Sequence, residues 1–145
     1  MTDRPGPGQT MFEFVRYWAR RGTGDGELAR RGRGVQVTEA VRVLADRPPV
    51  GVNEVAAELG LDQSGASRMI KDATAAGYLA PVRSAEDGRR RTITVTGAGE
   101  ELLAAAHRWQ EQVFAELTED WTPRQRQDLR RSLRRLLDRA RRAGS

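Results

Sequence analysis

The 145-residue chain contains no cysteine. Disulfides, thiol redox switches and thiolate metal sites are therefore excluded. Histidine occurs once, as His107, and no histidine–carboxylate cluster with metal-ligand spacing exists. His107 lies among Leu103, Ala106 and Trp109 on a predicted helix, where it reads as an interface or pocket-edge residue. Gly97-Ala98-Gly99 is too short to cradle a phosphate and reads as a permissive helix start. No catalytic residue, metal or cofactor is expected, and the chain does not read as an enzyme. No apolar run approaches the roughly 20 residues needed to cross a bilayer. Met1 to Gln9 is polar, with two prolines and two glycines, and lacks the apolar core of a secretion signal. Residues 1–10 read as a disordered leader on a cytoplasmic protein.

Lysine is almost missing as well. Lys71 is the only one, so nearly all the positive charge is arginine, and the net charge is +5. Arginine forks match phosphates and guanine edges in two-point geometry. The charge is uneven: about +3 over residues 1–34, about −1 over 35–100 and about +3 over 101–145. A nucleic-acid reader in the middle segment must collect its few cations on one face.

Periodicity predicts a mainly α protein with a small two-stranded β-wing. Met11 to Arg21 reads as a helix with Phe12, Val15 and Ala19 along one stripe and Phe14, Tyr17 and Trp18 beside it. Residues 22–34 are rich in glycine and arginine and read as a mobile connector. A second helix is expected from Thr38 to Asp46, ended by Pro48-Pro49. Asn53 to Leu59 forms a short helix stopped by Gly60, and Asp62 caps the next, Gln63 to Ala75, with Gly77 as its stop. Tyr78–Arg83 and Thr92–Thr96 are extended segments around a turn at Glu86-Asp87-Gly88, a strong hairpin signal. Pro81 confines its strand to an edge. Thr96 caps a long helix to about Thr118, with Leu102, Ala106, Trp109, Val113 and Leu117 in a stripe. Thr122-Pro123 starts a last helix carrying Leu129, Leu133, Leu136, Leu137 and Ala140, its other faces filled with arginine that read as solvated. The resulting division is 1–10 leader, 11–34 N-terminal helix and connector, 35–96 DNA-binding region, and 97–145 C-terminal helices.

A helix-turn-helix needs a small residue where its helices cross, a left-handed turn residue and apolar filling between them. Ala56, Gly60 and the set Val55, Leu59, Leu61, Ala66 and Met69 meet those needs. With Ala66, Met69, Ile70 and Ala73 inward, Gln63, Ser64, Ser67, Arg68 and Lys71 remain outward. That polar, non-acidic face suits a major groove. Gln63 and Arg68 can address base edges, and Ser64, Ser67 and Lys71 phosphates. Gly65 leaves room for the sugar-phosphate backbone. The hairpin tip carries Arg89, Arg90 and Arg91 beside Asp87, a pattern in which one carboxylate aims guanidinium groups outward. An arginine there can enter a narrow minor groove.

These residues resemble the MarR family of winged-helix transcription regulators. The likeness runs through Val55-Ala56, Leu59-Gly60, Ser64, Ser67-Arg68, Gly77, Asp87-x-Arg89 and Thr96-x-x-Gly99, and extends over roughly residues 11–142. Ala80-Pro81 and Ala73 depart from the common pattern. The resemblance implies a homodimer joined by its N- and C-terminal helices, with Arg89 as the wing arginine and Asp87 its positioning partner. It implies repression at a near-palindromic operator in double-stranded DNA. It also implies release by a small aromatic or phenolic effector, for which Trp18, Trp109 and His107 are the candidate contacts. The competing reading is a winged helix used only for protein–protein contact, which predicts an apolar or acidic outer face on the second helix.

Overall fold

The described residues, 4–19, 27–83 and 91–144 of a computed structural model, form six helices and one hairpin. In chain order these are α1 (Pro7–Ala19), α2 (Glu27–Leu44), α3 (Val52–Leu59), α4 (Gln63–Ala75), β1 (Leu79–Arg83), β2 (Arg91–Val95), α5 (Gly97–Leu117) and α6 (Pro123–Ala143). The chain divides into two compact units, residues 1–106 and 107–145.

In the first unit, Val37, Ala40 and Val41 of α2 meet Val55 and Ala56 of α3, Ala66 and Ala73 of α4, Val50 and Leu79. A fully buried valine or leucine contributes about 1.5–3 kcal/mol. Helix α1 buries no residue, so this cluster rather than α1 holds the unit together. Thr38 is also fully buried, and its hydroxyl has no hydrogen-bond partner among the described residues. Arg42 of α2 pairs with Glu100 of α5 at 2.7 Å. Both side chains are half exposed, so solvent screening leaves that contact at most about 0–1 kcal/mol.

Two helix starts differ from the expectation. Helix α1 begins at Pro7, inside the stretch read as leader. Proline suits the first helical position, and the Gly6 N–H donates to the Gln9 side chain at 3.1 Å. Helix α2 begins at Glu27 rather than Thr38 and runs through residues read as connector. Ala29 is buried, and Gly34 is buried beside the Tyr78 ring. Packing outweighs the low helix propensity of Gly32 and Gly34.

The strands pair antiparallel, with Leu79 opposite Val95 and Pro81 opposite Ile93. The Ile93 N–H turns away from β1 and donates to the Val50 carbonyl at 2.9 Å. Pro81 thus sits at a non-hydrogen-bonded pair, where a missing N–H costs nothing in the ladder. Thr96 joins three elements behind the hairpin. Its N–H donates to the Tyr78 carbonyl at 3.0 Å, its hydroxyl donates to the Gly77 carbonyl, and that oxygen accepts from Gly99 N at 3.1 Å. A Cβ on Gly99 would lie 2.3 Å from the Tyr78 carbonyl oxygen, so only glycine fits this crossing.

In the second unit, Thr122 and Gln125 form a reciprocal capping box at the start of α6, with Pro123 at the first turn. Thr118 is 3% exposed. Its carbonyl accepts from Arg126 Nη2 at 2.7 Å and Nε at 3.2 Å, and its hydroxyl accepts from Nε at 3.1 Å. Leu133, Leu136 and Leu137 are exposed. The α5 stripe opens along its length: Leu102 is buried, whereas Trp109 and Leu117 are exposed.

Candidate nucleic-acid interface

The turn between α3 and α4 is built by two local signals. Gly60 takes the left-handed conformation at φ 66°, and the Leu61 N–H returns to the Ala56 carbonyl at 2.9 Å. Asp62 then caps α4, its carboxylate accepting from Gly65 N at 2.8 Å. Gly65 has a structural reason beyond the expected clearance for a backbone. A Cβ there would approach the Asp62 carboxylate oxygen to 2.8 Å and disturb the cap. Leu61, expected within the angle between the helices, is instead 42% exposed. The reversal at Gly60 carries it past the crossing, and Val55, Ala56 and Ala66 fill the angle.

Helix α4 has two distinct sides. Ala66 and Ala73 are buried, with Met69 and Ile70 partly buried against the same cluster. Gln63, Ser64, Ser67, Arg68 and Lys71 are all exposed. At 3.6 residues per turn these five side chains occupy an arc of about 140° on one side of the helix. Neither Arg68 nor Lys71 has an ion-pair partner among the described residues, so both are available to an incoming anion. The only acid at the leading end, Asp62, is turned to the helix N-terminus, where the backbone N–H groups offset its charge.

Asp87, Arg89 and Arg90, with the turn at Glu86-Asp87-Gly88, lie outside the described residues, and Arg91 is described only as the backbone start of β2. The hairpin stem leading to them is in place. The Thr96 joint fixes it directly to the end of α4, a role the sequence reading missed because Thr96 looked only like a helix cap.

The expected effector residues fall in different units. Trp18, half-buried in the first, makes edge contacts with Phe14 at 6.2 Å and Tyr17 at 5.5 Å between ring centres. His107 and Trp109 belong to the second unit and are exposed. Among the described residues no cluster of three metal-ligating side chains occurs, and no helix is long and apolar enough to cross a membrane.

Residues 27–90 match the model of the MarR family. Over those residues the chain is similar to the MarR family. The matched segment runs from the start of α2 to the residue before β2. No relative among curated protein sequences matches the chain. Among solved structures, a crystal structure of MarR is 22% identical with a TM-score of 0.72, covering 99% of this chain and 97% of that one. A MarR/EmrR family transcriptional regulator from Acinetobacter sp. ADP1 is 20% identical with a TM-score of 0.57, covering 93% and 94%. The S. aureus MepR–DNA complex is 12% identical with a TM-score of 0.61, covering 93% and 96%. These likenesses establish the winged-helix MarR fold along nearly the whole chain.

Proposed function

We propose that the protein is a transcription regulator that binds duplex DNA sequence-specifically as a homodimer, with α4 in the major groove and the wing beside it. The observation that carries this reading is the two-sided character of α4. One side is locked into the core by Ala66 and Ala73, and the other presents Gln63, Ser64, Ser67, Arg68 and Lys71 with no acid among them. The MepR relative is seen in complex with DNA, which supports the same use of the fold here. A protein-contact module would need an apolar or acidic outer face, and α4 has neither.

In this reading Gln63 and Arg68 address base edges, while Ser64, Ser67 and Lys71 hold phosphates. Asp87 and Arg89 to Arg91 act at the wing tip, with Arg89 entering the minor groove. The exposed leucines of α6 and the exposed Phe12, Phe14 and Val15 of α1 form the dimer interface. Two copies place two recognition helices about one helical turn apart on a near-palindromic operator, and repression follows from occupying it. Trp18 in the first unit and His107 and Trp109 in the second are the candidate contacts for a small aromatic or phenolic effector that releases the DNA.

The test is Arg68→Ala in a competition assay between operator and random duplex. Loss of a bidentate base contact should lower discrimination by about 1–3 kcal/mol, roughly 5- to 150-fold, with a smaller change in total affinity. Unchanged discrimination would remove Arg68 from base readout.

A further inference from the structure

Helix α6 carries nine arginines against Asp128 and Asp138, a net charge of +7 in 21 residues. The whole chain is +5, so everything outside α6 is net −2. Residues 52–96, which contain the helix-turn-helix and the wing, hold six cations against six acids. The strongest positive field in the chain therefore does not arise at the base-reading elements.

The charge on α6 is also ordered. Leu129, Leu133, Leu136, Leu137 and Ala140 share an apolar arc of about 100°. Every arginine except Arg126 lies outside that arc and is exposed. Arg126 is engaged with Thr118, and Arg131 is paired with Asp128. Arg124, Arg130, Arg134, Arg135, Arg139 and Arg142 have no ion-pair partner among the described residues. Pairs four apart, such as Arg130 with Arg134 and Arg135 with Arg139, repel one another along the helix, and a bound polyanion removes that repulsion. Arg124 to Arg142 spans about 27 Å, close to eight phosphate steps along one strand of a duplex.

We propose that the arginine face of α6 is a second, sequence-independent surface for the phosphate backbone of duplex DNA, separate from the helix-turn-helix. Guanidinium forks bind phosphate oxygens in two-point geometry. An anionic membrane is the less suitable occupant. Membrane docking would need the leucine arc to insert, and the dimer reading above assigns that arc to a second copy.

The experiment uses the full chain and a labelled duplex of random sequence, titrated across salt concentrations. Replacing Arg130→Gln, Arg134→Gln, Arg135→Gln and Arg142→Gln together should lower the slope of log affinity against log salt by roughly 3 to 4. Affinity at low salt should fall at least about tenfold. Circular dichroism and sedimentation check that helicity and oligomeric state are kept. In parallel, wild-type protein is modified with an arginine-directed dicarbonyl reagent, and random duplex should protect the α6 arginines. An unchanged salt slope in a folded variant overturns the proposal, as does equal modification with and without duplex. Binding of the wild type to phosphatidylglycerol vesicles with no binding to random duplex overturns it too. Arg68→Ala should lose operator discrimination yet retain this random-duplex binding, so failure here and failure of the base-reading assignment give different results.

Discussion

Helix α4 buries Ala66 and Ala73 and offers five polar side chains on its open side, whereas α6 buries none of its residues and carries nine arginines. The first helix has a fixed position and little charge; the second has abundant charge and, within one chain, an uncovered apolar arc. Sequence discrimination requires side chains held in place by a packed core, which α4 has. Phosphate attraction requires charge without exact placement, which α6 has. On the proposed reading, base discrimination and added phosphate attraction are thus assigned to separate parts of the chain.

The comparison breaks most sharply on core truncation. Leu79→Ala should cost about 3–4 kcal/mol by opening a cavity in the cluster under α4. Urea unfolding should show that loss independently of protein concentration. The corresponding change in the other region, Leu136→Ala, should instead steepen the dependence of the melting temperature on concentration, because it weakens association. If both variants behave alike, the core and the interface are not separable as described.

Gly99→Ala comes next, at about 2–3 kcal/mol, because its new methyl meets the Tyr78 carbonyl and the backbone must move. DNA affinity should fall with it, since the same joint holds the end of α4; retained affinity in the destabilised protein would show that the joint does not position the reading helix. Asp62→Ala should cost about 1 kcal/mol through the lost cap, measured by the shift in urea midpoint. Smallest, and opposite in sign, Thr38→Val should stabilise the first unit by up to about 1 kcal/mol, since it replaces an unpartnered buried hydroxyl with a methyl of the same shape. A destabilised valine variant would mean that the hydroxyl has a partner after all.

How much of this was legible in the sequence depended on where the controlling forces lie. The bounds of α4, Gln63 to Ala75, are legible because Asp62 and Gly77 spell both ends within a few residues. The cap at Thr122 and the start at Pro123 were equally local. The first half of α2 is not legible in the sequence because it is held by tertiary contact, with Ala29 buried and Gly34 beneath Tyr78, against its own propensity. The early start of α1 did have a local signal, Pro7 followed by Gln9, but it was masked by the surrounding glycines. At the candidate site the five outward residues of α4 were visible as a periodic pattern. The exposure of Leu61 and the Thr96 joint were not, because both depend on the path the backbone takes after a turn.

The contacts at Thr118 bear on the proposed pairing of two copies. One guanidinium, from Arg126, answers both the carbonyl and the hydroxyl of a threonine that solvent barely reaches. The bend between the last two helices is thereby closed by atoms of a single chain. The leucine arc is thus oriented within one chain, so in the proposed dimer pairing would not have to freeze that hinge as well, which favours tighter association.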